Sequence, residues 1–189
     1  MSDLRLMIQS TPNPNALKFV VNTPVKIDGN ITYKSAGECT YNPLAKAIFD
    51  LSPNIREVYF FDNYITVTQN GEADWDDLES KIQAVIKEKI DTHDPHFQVE
   101  IPKADQAPSG PRSKEMDQID AILDQTVRPA LQMDGGDIKL INYANDTLQV
   151  FYQGACGSCP SSSMGTMKAI ENILRDQFNP NIVVELAEA

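Results

Sequence analysis

Two hydrophobic periods recur along the chain. Residues 16–21 (ALKFVV) form a short, mostly apolar run that predicts a strand. Asn42-Pro43 has the form of an N-cap followed by proline at the first helical position, and Leu44, Ala47, Ile48 and Leu51 follow at helical spacing. Residues 55–61 (IREVYFF) and 64–68 (YITVT) flank Asp62-Asn63 and predict a hairpin. Asp74 is placed to cap a further helix whose apolar stripe is Trp75, Leu78, Ile82, Val85 or Ile86, and Ile90.

The pattern breaks at Pro102-Lys103-Ala104-Asp105-Gln106-Ala107-Pro108-Ser109-Gly110-Pro111, which is poor in large apolar residues and rich in Pro, Ser and Gly, and so predicts a linker. Beyond it, Met116, Ile119, Ile122, Leu123 and Val127 make a helical stripe that Arg128-Pro129 must end or kink. Asp134-Gly135-Gly136-Asp137 is a turn signal, and residues 138–143 and 147–153 read as strands joined by Ala144-Asn145-Asp146. Pro160 suits a helix start, with Met164, Met167, Ile170, Leu174 and Phe178 on one face; Ile182–Leu186 closes the chain as a strand. The expectation is two small α+β domains, residues 1–100 and 113–189, joined by a flexible linker at 101–112, the second running α-β-β-α-β.

Charge narrows the functional classes. The net charge of −11 is spread over both halves, and neither clusters the Lys and Arg that tracking a nucleic-acid backbone requires. No run of about 18 apolar residues is present to span a membrane. The chain opens Met1-Ser2-Asp3-Leu4-Arg5, with neither a secretory apolar region nor an Arg/Ser-rich transit peptide. That points to a bacterial cytoplasmic form, or to the mitochondrial matrix for a processed or trimmed chain.

Three cysteines are too few for a disulfide scaffold, but Cys156 and Cys159 form a C-x-x-C pair within Gly154-Ala155-Cys156-Gly157-Ser158-Cys159-Pro160. Small neighbours let a ligand approach the backbone, and Cys159 precedes a helix start, where the dipole favours thiolate. Four readings follow: inert buried cysteines, a thioredoxin-like dithiol–disulfide oxidoreductase, a zinc site, or an iron–sulfur cluster. The pair follows two adjacent strands rather than opening a parallel βαβ crossover, which counts against the dithiol. Zinc and all-cysteine cubanes each want four ligands, and a chain supplies two thiolates in the motif; a twofold dimer supplies two plus two. A site so placed at an interface, held by few protein contacts, suits a carrier.

Asp134-Gly135-Gly136-Asp137 followed by two strands, GACGSCPSS (154–162) and an amphipathic helix resembles the C-terminal (Nfu) domain of NifU. Gln9-Ser10-Thr11-Pro12-Asn13-Pro14-Asn15-Ala16-Leu17-Lys18-Phe19 and Asn42-Pro43-Leu44-Ala45 are similar to the Nfu N-terminal domain. The resemblance implies a protein of iron–sulfur cluster assembly and transfer, not an enzyme. It implies a 4Fe-4S cluster held by Cys156 and Cys159 of two protomers, with apo iron–sulfur proteins and upstream assembly factors as partners. The cysteine-bearing scaffold domain of full-length NifU has no counterpart here, which favours a carrier over a primary scaffold.

Other residues read as structural. The Asp134–Asp137 motif is a glycine-dependent turn, Met164 and Met167 are core, Thr11–Asn15 is a rigid turn, and Cys39 is a small buried residue. His93 and His96, near a helix end, read as solvated rather than as zinc ligands. Neither a Ser/His/Asp set nor a P-loop is present.

Overall fold

In a computed structural model of the chain, residues 4–97, 113–157 and 162–187 are described, apart from the side chains of residues 162–164. The chain divides into two compact units, Met1–Val99 and Glu100–Ala189. The linker expected at 101–112, together with Cys159 and Pro160, lies outside the described residues.

The first unit is built on an antiparallel sheet of β1 (Leu6–Ser10), β2 (Ala16–Val21), β3 (Lys26–Tyr33), β4 (Ile55–Asp62) and β5 (Tyr64–Gln69), in the order β1-β2-β5-β4-β3. Side chains alternate across a strand, so β2 turns Phe19 and Val21, β4 Val58 and Phe60, and β5 Ile65 and Val67 toward one face. Two helices supply the other half of that core: α1 (Pro43–Phe49) brings Leu44 and Ile48, and α2 (Trp75–Lys89) brings Leu78, Ile82 and Ile86. Both start as the sequence predicts. Asn42 Oδ1 accepts from the Ala45 amide and Asp74 Oδ1 from the Asp76 amide, each at 3.0 Å, satisfying donors that a helix start leaves open. The hairpin forms at Asp62-Asn63, with Phe61 opposite Tyr64.

β1 and β3 are absent from the sequence prediction, and both are sheet edges. Edge strands pack on fewer neighbours, and these two are mostly half-exposed or exposed, so neither has the apolar face that signals a strand. His93 is a correction. It is half-buried, stacked on Phe60 with ring centroids 5.8 Å apart and set against the edge of Phe97 at 5.4 Å. Its Nε2 lies 2.7 Å from the Val25 carbonyl oxygen, and because that oxygen only accepts, Nε2 carries the proton. His96 is exposed, as expected.

The second unit comprises α3 (Lys114–Thr126), α4 (Arg128–Met133), β6 (Gly136–Ala144), β7 (Thr147–Gly154), α5 (Ser162–Gln177) and β8 (Val183–Leu186). The expected α-β-β-α-β order holds, with its first helix split in two ahead of Pro129, whose ring cannot continue the helix begun at Ser113. Ser113 Oγ caps α3 by accepting from the Met116 amide at 3.2 Å. β6 and β7 form a hairpin in which Ala144 opposes Thr147, and Asn145 and Asp146 take φ values of +51° and +59°, the left-handed pair a two-residue turn demands. Ile119 and Leu123 from α3, Ile138 and Leu140 from β6, Leu148 and Val150 from β7, and Ile170 and Leu174 from α5 are all at most 2% exposed and form the core.

β8 pairs with β7 in parallel. The segment β7–α5–β8 is therefore a parallel crossover, and Cys156 stands at its first turn, against the sequence-based expectation. The reason is length: a 16-residue helix spans about 24 Å and returns the chain to the start of β7. Sequence shows the helix but not which edge of the hairpin receives the returning strand.

Two outcomes are expected. Limited proteolysis should cut between Pro102 and Ser113 and leave two folded fragments, and residues 113–189 expressed alone should retain a cooperative melt; loss of folding in either fragment would show that the units depend on each other. The second concerns pH. Burial, opposed by the hydrogen bond to the Val25 carbonyl and the charge of Asp94, holds the His93 pKa below 6.5. As pH falls through 6.5 the unfolded chain takes up this proton before the folded one does, so stability present above that pH is lost below it. The melting temperature should drop on acidification below pH 6.5, and His93→Gln should shrink that drop relative to the native chain.

Candidate metal centre

Cys156 lies where β7 gives way to the turn before α5. The turn is built from glycines for two separate reasons. Gly154, the last residue of β7, has φ +63°, and Gly135, just ahead of β6, has φ +81°; both are left-handed positions where a side chain is strained. The Ala155 amide donates to the Gly135 carbonyl at 3.1 Å and the Gly157 amide to the Gly154 carbonyl at 3.0 Å, pinning the turn on both sides.

Gly136 serves a different end. A Cβ at this position would stand 2.5 Å from Cys156 Sγ, 2.7 Å from the Gln153 carbonyl oxygen and 2.9 Å from the Cys156 amide nitrogen. No side chain fits. The strand β6 thus passes directly behind the thiol, and Cys156 is only 7% exposed. The Asp134–Asp137 motif is a glycine-dependent turn, as its composition predicts, but its second glycine is there for proximity to Cys156, which spacing alone does not reveal.

The two acids of the motif differ. Asp137 is 3% exposed: its Oδ1 accepts from the Ile138 amide at 2.7 Å and faces Arg128 Nε at 3.2 Å. Arg128 also reaches Asp120 at 2.7 Å, Asp124, and the Ile138 carbonyl oxygen at 3.2 Å. Burial alone would pull the Arg128 pKa down, but its bonds to Asp124 and Asp120 and the charge of Asp137 hold it above the usual value. Arg128 therefore joins α3, α4 and the start of β6, and its position after the helix break puts it there. Asp137 is spent on this network.

Facing pairs on β6 and β7 place Tyr152 in the same neighbourhood. Gly136 opposes Gly154 and Ile138 opposes Tyr152. The Tyr152 side chain is 5% exposed, and its hydroxyl meets no hydrogen-bond partner among the described residues. Burial first, and the charge of Cys156 second, push its phenol well above the ordinary range. The only sequence signal for this residue is a polar-tipped side chain in the core-facing register of an otherwise aliphatic strand.

Other candidates are placed as follows. Cys39 is 1% exposed with Sγ 3.4 Å from the Ser35 carbonyl oxygen, and burial, with the charge of Glu38, pushes its thiol up to about 12, so it is held as an inert thiol. Met167 is half-buried against the core, as expected. Among the described residues no three His, Cys, Asp or Glu side chains converge on one point, and no helix is long and apolar enough to cross a membrane. An open cavity of about 120 Å³ in the first unit, beside Tyr41, His93, Asp94 and Phe97, has no thiol in its lining.

An α+β unit presenting a cysteine on a glycine-built strand-to-helix turn, preceded in the chain by a second α+β unit, makes this a two-domain α+β protein. Residues 6–93 match the family model described as the scaffold protein Nfu/NifU N-terminal domain, and residues 119–185 match the NifU-like domain. The chain belongs to the Nfu-type family, with the N- and C-terminal domains of that family in order. It is 33% identical over 177 residues to the human "NFU1 iron-sulfur cluster scaffold homolog, mitochondrial", covering 90% of this chain and 66% of the relative. It is 34% identical over 174 residues to "NifU-like protein 5, mitochondrial" of Arabidopsis thaliana, covering 89% and 62%. The chain thus spans roughly three fifths to two thirds of these relatives. A solution structure of a NifU-like protein from Saccharomyces cerevisiae is similar at 21% identity and a TM-score of 0.45, over 49% of this chain and 85% of that one. The curated relatives are named as mitochondrial, in line with the mitochondrial alternative; they lend no support to a bacterial cytoplasmic location.

Gly136→Ala tests the close approach. The added methyl should expel the Cys156 side chain from its seat, lowering stability by about 1–3 kcal/mol. Alkylation of Cys156 in the folded protein should accelerate, measured by mass spectrometry against the native chain. Unchanged reactivity with an unchanged melt would mean that the strand yields and the glycine is not required.

Proposed function

We propose that this protein carries iron–sulfur clusters: Cys156 and Cys159 of two copies hold one 4Fe-4S cluster, which is then passed to apo-proteins. The observation that carries this reading is the seat of Cys156, a thiol backed by a glycine strand at the start of a β–α turn, in a chain of Nfu-type domain order. Relatives named as iron–sulfur cluster scaffolds support it.

The residues fit such a cargo. Thiolate is the ligand an iron–sulfur cluster takes, and the motif supplies two per chain. The cluster itself brings four metal positions that want four such ligands, so a second copy completes the set by twofold symmetry. Gly135, Gly136, Gly154 and Gly157 put no side chain beside Cys156, so none competes with an inorganic core for its sulfur. With no complete site in one chain, metal-binding energy appears as association energy, and a site shared across an interface is open to ligand exchange. Transfer then consists of client cysteines replacing Cys156 and Cys159 one at a time. No side chain of this protein needs to act as an acid or base, which is the sense in which it is a carrier and not an enzyme.

A dithiol–disulfide oxidoreductase remains the second reading, and the parallel crossover behind the motif favours it. The two part on stoichiometry. Anaerobic reconstitution should give about four irons and four sulfides per two chains with a broad visible absorption. Iron removal should shift the mass toward monomer, and Cys156→Ala or Cys159→Ala should abolish stable loading. Cys39→Ala should leave iron content unchanged. A colourless protein that turns over disulfides, or four irons held by a monomer, would overturn the shared-cluster reading.

A further inference from the structure

Tyr152 is a tyrosine in a position that an aliphatic residue would fill at less cost. A buried hydroxyl without a partner is destabilising, because water satisfied it in the unfolded chain. Its neighbours in register, Leu148 and Val150, are aliphatic and fully buried. An orphaned donor in a native core calls for a function or an absent partner.

The hairpin register says where that partner lies. Directly opposed residues of an antiparallel pair point to the same face, and so do residues two apart on one strand. Gly136 faces Gly154, and Ile138 faces Tyr152, so the Tyr152 ring stands on the face to which a Cβ of Gly136 would point. That Cβ would run into Cys156 Sγ. Tyr152 and the Cys156 sulfur therefore occupy one face of the hairpin, one residue pair apart, or about 7 Å along the strand. Both side chains are buried in the same core cluster.

We propose that the Tyr152 hydroxyl donates a hydrogen bond to sulfur at the loaded site, either the Cys156 thiolate or a cluster sulfide, and so acts as a positioning residue that retains the cargo and raises its reduction potential. This inference rests on the cluster reading of the preceding section. Hydrogen bonds to cluster sulfurs delocalise negative charge and favour the reduced state, and a bond to a charged acceptor is among the stronger ones a protein makes. A thiol sulfur in the empty protein is a weak acceptor, whereas sulfur of the loaded site is a strong one, which accounts for a donor that is idle without cargo. Retention and release are then set by a group that costs the empty protein stability and repays it on loading.

Tyr152→Phe keeps the ring and removes only the oxygen. The empty variant should melt at or above the temperature of the native chain, since an unsatisfied buried group is gone. Both proteins should load iron and sulfide to the same level. The loaded variant should show a more negative reduction potential and lose its cluster to a chelator about tenfold faster, the factor that loss of a charge-assisted hydrogen bond predicts. Equal potentials and equal release rates in two well-loaded proteins would overturn the hydrogen bond while leaving the carrier reading intact. A marked fall in the melting temperature of the empty variant would also overturn it, by showing that the hydroxyl has a structural partner. A native chain that takes up no iron and sulfide would overturn both readings together.

Discussion

The contact between Gly136 and Cys156 governs the second unit. Strand β6 begins so close behind the thiol that a methyl group would sit 2.5 Å from the sulfur. Three elements must therefore hold their places together: the end of α4, the first residues of β6 and the turn after β7. Each is secured by a different means. Arg128 clamps Asp137 against α3 and α4, the Ala155 amide bonds to the Gly135 carbonyl, and left-handed glycines at 135 and 154 make both bends without strain. The close approach leaves a thiol pressed against bare backbone, only 7% exposed.

That arrangement bears on the balance between holding and releasing. On the reading proposed above, two thiolates per chain make an incomplete site, so affinity would depend on a second copy and on donors around the sulfur rather than on a closed cage. Among the described residues, Tyr152 is the one buried hydroxyl on the thiol's face of the hairpin with no hydrogen-bond partner. A shared site of the proposed kind, tuned by a single donor, would suit delivery, where a closed four-cysteine site within one chain would suit permanent redox use. Cys39 marks the contrast inside the same chain. Burial pushes its thiol up to about 12, far from thiolate at neutral pH.

The first unit has a conventional division of labour. Its helices and the inward positions of β2, β4 and β5 make one apolar core, while the opposite face of β5 carries Tyr64, Thr66 and Thr68, with Lys18 Nζ 4.1 Å from the Tyr64 ring centroid. His93 closes one end of the core through its stacking on Phe60, and its neutral form is the one the fold selects.

Sequence alone determined the elements whose residues interact with near neighbours in the chain. The caps at Asn42 and Asp74, the helical stripes, the hairpin at Asn145-Asp146 and the glycine turn at 134–137 are local, so spacing and residue type suffice to place them. The C-x-x-C motif was legible for the same reason, and so was the family likeness built around it. The edge strands β1 and β3 were not, because an edge strand need not carry an apolar face. Tertiary structure decided the rest. Whether β8 returned parallel or antiparallel depended on which hairpin edge α5 delivered it to. The burial of His93 depended on Phe60, more than thirty residues away. Above all, Gly136 and Tyr152 gained their meaning only when two strands came into register beside Cys156; proximity across a sheet is set by pairing, and pairing is not written in the spacing of a single strand.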